Sequence, residues 1–148
     1  MEDFEIQELE KRKKWFKRYK RTLALIDRLE DKLRDLDERL YNVKSPKLSD
    51  MPRGGKPIEV SDLISDKEEI KNRINRLVKK ARLQKREIID KIDELEDPRH
   101  ADVLEAFFIE CRSFDEIANI KGYNTRHVIR LYSEALLQCH IEDTKIAQ

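Results

Sequence analysis

Glycine and proline are scarce in this chain of 148 residues, at three and four, and both are residues that interrupt regular structure. Aromatic residues reach only 7%, and apolar residues stop at 39% against 43% charged. That balance cannot fill a large globular core and suits long amphipathic helices, each burying one narrow stripe. No stretch approaches the ~18 consecutive apolar residues of a membrane span. Met1 to Glu10 is acidic and lacks an apolar signal core, so a cytoplasmic location is expected and membrane association is not. Cys111 and Cys139 have no metal-ligand spacing and build no disulfide framework; both are expected to be small, half-buried thiols. His100, His127 and His140 are dispersed, without the i, i+4 spacing of a helical metal site. Gly54 and Gly55 lack the Lys-Ser/Thr of a phosphate loop, and no Ser, Cys or His sits among partners that would make it a nucleophile. These absences predict a protein that is not an enzyme and uses neither metal nor cofactor.

Helical periodicity is what the chain does have. Between Asp3 and about Asn42 no Pro or Gly occurs, and Leu9, Phe16, Tyr19, Leu23 and Ile26 recur in steps of three and four. Leu29, Leu33, Leu36 and Leu40 continue the stripe after one shift of register, as in a coiled-coil seam. An unbroken helix of this length would run roughly 60 Å. Val43 to Pro57 breaks it with Ser45-Pro46, Met51-Pro52 and Gly54-Gly55 and reads as a loop. Helix resumes near Ser61 and continues to Glu96, with Ile70, Ile74, Leu77, Ala81, Ile88 and Leu95 as its seam and Gln84 interrupting. Two seams flanking a breaker predict an antiparallel hairpin within one chain; pairing with a second copy in a homodimer is the alternative. A turn near residue 51 would set residue 19 beside about residue 83.

Asp97-Pro98 ends the pattern, with Pro98 suited to the first turn of a new helix. Val103, Leu104, Phe107, Phe108 and Cys111 then make a dense apolar face, and a small globular unit runs to about Ile141. The fold class is therefore all-α: a helical hairpin over residues 1–96, a compact domain over 97–141 and a frayed tail over 142–148. Ser113 and Glu116 have the spacing of a capping box, Gly122 suits the positive φ of a sharp turn, and Asn124 caps a helix from Thr125 to about Cys139. Ala118 allows a close helix crossing, and Val128, Leu131 and Ala135 point back at Ile117 and Ala118. Two helices joined in this way form a helix-turn-helix.

The outward face of the second helix carries Thr125, Arg126, His127 and Arg130, the candidate base readers in a major groove. Lys121, Asn124 and Ser133 are candidate phosphate contacts. Solvated side chains on a helix that packs elsewhere are the plainer reading of the arginines. Residues 97–148 hold six Lys and Arg against nine Asp and Glu, a net charge of minus three, whereas an autonomous DNA-binding module is usually basic. The missing cations lie on the hairpin. Lys11 to Arg21 holds eight basic residues and no acidic one, and Lys71 to Lys91 holds nine basic residues against Glu87 and Asp90. Lys13, Lys14, Lys17, Arg18, Arg82, Lys85 and Arg86 make an auxiliary basic patch, for an anionic partner or as a solvated face. Trp15, Phe16 and Tyr19, interleaved with the first run, are expected in the core rather than stacked on bases.

Residues 97–140 resemble region four of bacterial sigma factors, through Phe114-Asp115-Glu116-Ile117-Ala118, Lys121-Gly122-Tyr123 and Val128. With the loop Ser45-Pro46-Lys47-Leu48-Ser49-Asp50-Met51-Pro52-Arg53-Gly54-Gly55, the whole chain is similar to phage and prophage late-transcription regulators of the ArpU type. The resemblance implies a regulator that binds promoter DNA and host RNA polymerase. Docking on polymerase without DNA contact, and a part in phage DNA packaging, are the competing functions.

Overall fold

The structure, a computed structural model, describes residues 2–44 and 60–141. Among these there are only helices: α1 (Asp3–Phe16), α2 (Arg18–Lys44), α3 (Val60–Asp93), α4 (Pro98–Phe108), α5 (Phe114–Lys121) and α6 (Thr125–Gln138). The predicted first helix is interrupted once, at Lys17, where ψ falls to −7°. The Arg18 guanidinium takes the Trp15 carbonyl at 3.0 Å, a side-chain intrusion of the kind that bends helices. Helix also persists through Val43 and Lys44, past its expected end. The rest of the predicted 43–57 loop, with its Ser-Pro and Gly-Gly steps, lies outside the described residues, as does the 142–148 tail.

The chain forms two compact units, divided between Arg21 and Thr22 and again between Lys80 and Ala81. The globular unit is thus not confined to residues after 96. It draws in α1, the start of α2 and the end of α3. In the other unit Leu36, Leu40 and Leu63 form a small apolar cluster with Val43, Val60 and Ile70 against it. There Lys67 pairs with Asp37, while in the globular unit Arg18 pairs with Glu87 at 3.0 Å. Within this second unit Leu25 and Leu29 line one groove with Leu77 and Arg73, while Leu36 and Leu40 pack with Leu63, so there α2 and α3 are antiparallel and pair within the chain. The Arg18–Glu87 pair lies within about one helical turn of the register expected from a turn near residue 51.

The larger core gathers Trp15 and Phe16 from α1, Ile88 and Ile92 from α3, and the inward faces of α4, α5 and α6. Phe16 is fully buried and stacks on Phe108 with ring centroids 5.1 Å apart. Phe107, Phe114 and Tyr132 extend this aromatic cluster. α3 stops at Asp93, three residues early, because Leu95 turns back onto the core and Asp97 must be extended ahead of Pro98. Asp97 caps α4, accepting from the Arg99 backbone at 2.9 Å, and hydrogen bonds from Arg99 hold its carboxyl below the usual range. Cys139 is buried as a core thiol, but Cys111 is exposed beyond the end of α4, at a φ of 57°, and does not join the α4 face.

Candidate nucleic-acid interface

Local chemistry fixes the end of the globular unit that carries the candidate readers. Ser113 accepts from the Glu116 backbone at 3.1 Å while Glu116 reaches back to the Ser113 N–H, completing the capping box. Gly122 ends α5 in the left-handed region at φ 71°, where a β-carbon would be strained even though space is open. Asn124 then caps α6 by accepting from the His127 N–H at 2.8 Å. Ile117, Ala118, Val128, Leu131 and Ala135 are all buried between the helices. The seating of α6 leaves Arg126, Ile129 and Arg130 exposed, with Thr125, His127 and Ser133 half-exposed.

The candidate residues fare differently. Arg126 and Arg130 make no ion pair among the described residues. Arg130 instead donates from Nη2 to His127 Nδ1 at 2.7 Å, and the His127 ring meets the Tyr123 ring edge-on at 4.9 Å. Thr125 donates to Asp115 Oδ1 at 2.7 Å, which sets a carboxylate at the leading edge of α6. Lys121 pairs with Asp102 at 3.0 Å, and the Asn124 oxygen is occupied as a cap. Two expected phosphate contacts thus already have protein partners. Ile129, three residues after Arg126 and beside Arg130, was not among the expected residues; helical spacing from Arg126 was the signal that could have found it.

The basic runs separate into structural and exposed members. Arg12 Nη1 donates to the Leu136 and Leu137 carbonyls, capping the far end of α6. Lys13 pairs with Glu10, and Arg18 lies over the Trp15 ring at 4.5 Å besides pairing with Glu87. Lys20 sits 3.8 Å from the centre of the Phe107 ring, and its burial there lowers its pKa. Lys14, Lys17, Arg82, Lys85 and Arg86 remain exposed and outside any ion pair among the described residues. All of them belong to the globular unit that carries α6.

His100 lies 3.2 Å from Glu134 and 3.8 Å from Asp97, tying α4 to α6. Among the described residues no group of three or more His, Cys, Asp or Glu side chains is arranged to hold a metal ion. No helix there is long and apolar enough to cross a membrane. No family model, curated protein or solved structure matches this chain.

Proposed function

We propose that this protein binds double-stranded DNA as a transcription regulator, with α6 entering the major groove. One observation carries the reading. Helix α6 is capped by Asn124, set on α5 through the left-handed Gly122, and turns Arg126, Ile129 and Arg130 outward at helical spacing. An arginine fork can donate twice to the acceptor edge of guanine, and an aliphatic side chain suits the thymine methyl. Phosphate affinity comes from the exposed cations Lys14, Lys17, Arg82, Lys85 and Arg86, since α6 and its neighbours are acidic in balance. The resemblance to phage late-transcription regulators makes phage late genes the target, in the cytoplasm of a bacterial host. Gel retardation of a promoter fragment by the full chain tests the reading. Retention should fall steeply between 50 and 200 mM salt, roughly as the number of phosphates neutralised. Absence of retention at the lower salt would remove DNA as the partner.

A second reading has its own support: Asp102 and Asp115 occupy Lys121 and Thr125 on the face that would meet DNA. On this reading the domain docks on RNA polymerase. Capture of polymerase subunits without retardation of any DNA favours it. Sedimentation of the full chain decides whether a homodimer supplies two copies of α6 or one copy acts alone.

A further inference from the structure

We infer that His127 is a positioning residue for Arg130 rather than a reader of bases, an inference that rests on the DNA-reading role proposed for α6. Arg130 Nη2 lies 2.7 Å from His127 Nδ1. A guanidinium has five N–H donors and no acceptor, so Nδ1 must offer its lone pair. The imidazole is then neutral, with its proton on Nε2. The ring is itself held in place. Its backbone N–H is fixed by Asn124 at 2.8 Å, and the Tyr123 ring supports it edge-on. The turn that seats α6 therefore also seats His127, and His127 seats the fork of Arg130.

Arginine carries several freely rotating bonds, and holding them before binding spares the entropy otherwise lost in forming two hydrogen bonds to one base. The bond to His127 uses one N–H and leaves four, enough for the two acceptors on the major-groove edge of guanine. Arg126, one turn earlier, makes no ion pair among the described residues and is given no such hold. Base selectivity accordingly concentrates at Arg130, while Arg126 adds salt-dependent affinity with little preference.

The test uses the full chain and two readouts. In imidazole 15N–1H correlation spectra, His127 should be an Nε2–H tautomer with a hydrogen-bonded Nδ1, and Arg130→Leu should move Nδ1 to the position of a free acceptor. A protonated Nδ1 at neutral pH, or no change in Arg130→Leu, overturns the inference. The second readout is the affinity ratio between a duplex selected from a random pool and a scrambled one. His127→Ala should lower this ratio about tenfold, with circular dichroism confirming the fold. His127→Asn, whose Oδ1 stands close to the place of Nδ1, should restore most of it. A selective wild type with an equally selective His127→Ala refutes the positioning role alone. A wild type that prefers no duplex refutes the reading role of α6, and the positioning role falls with it.

Discussion

Arg12 on α1 donates from a single nitrogen to two carbonyls at the end of α6, those of Leu136 and Leu137, both at 2.8 Å. The last carbonyls of a helix have no partner within it, and a cation there also meets the negative end of the helix dipole. The Arg12 side chain is only 14% exposed, and its bond to the Leu136 carbonyl is partly buried. Arg12→Ala should lower unfolding stability by about 1–3 kcal/mol in urea denaturation. Lys13→Ala, one residue on and paired among the described residues with exposed Glu10, should cost less than about 0.5 kcal/mol.

Phe16 and Phe108, ninety-two positions apart, stack in one core. Phe16→Ala and Phe108→Ala should each cost about 3–5 kcal/mol. Their effects should not add: the double variant should show a coupling above about 0.5 kcal/mol in equilibrium denaturation. Additive losses would mean that α1 and α4 do not share a core.

Stability should decline on the alkaline side. Burial pushes the Cys139 thiol from 9.0 up to about 11 and the Tyr132 phenol from 10.0 to about 12. Both groups are held neutral when folded and release their protons more readily when unfolded. Between about pH 9 and 12 the unfolded chain therefore binds fewer protons, and unfolding free energy falls as pH rises. Cys139→Ser should remove the lower part of that slope in a pH series of urea midpoints.

Lys121 is held by Asp102 at 3.0 Å and is not available to a phosphate while that pair persists. If α6 reads DNA, Asp102→Asn should release the lysine and raise affinity a few-fold. The slope of log affinity against log salt should steepen by about one. Fluorescence anisotropy at several salt concentrations checks both.

The helix boundaries around α5 and α6 were legible because their signals are local. Ser113 with Glu116, Gly122 and Asn124 each act within four residues of their own position. Long-range contacts were not legible. Arg12 and Lys20 read as members of a basic run, yet one caps α6 and the other lies on Phe107, partners nearly ninety or more residues away. The break at Lys17 escaped notice because nothing in Trp15 to Arg18 disfavours helix. It accompanies the burial of Trp15 and Phe16 in the core shared with α4 and α6. Ile92 and Leu63 were missed as buried positions, since counting threes and fours selects one stripe while tertiary packing widens it. Gln84 interrupted the seam on paper but is buried within it.

Selection of duplexes from a random pool tests most directly whether α6 reads DNA. The wild-type chain should enrich a short motif containing guanine. Arg130→Ala should lose about 1–3 kcal/mol of preference at one guanine position. Failure of the wild type to enrich any motif, or enrichment of the same motif by Arg130→Ala with undiminished preference, would contradict the account.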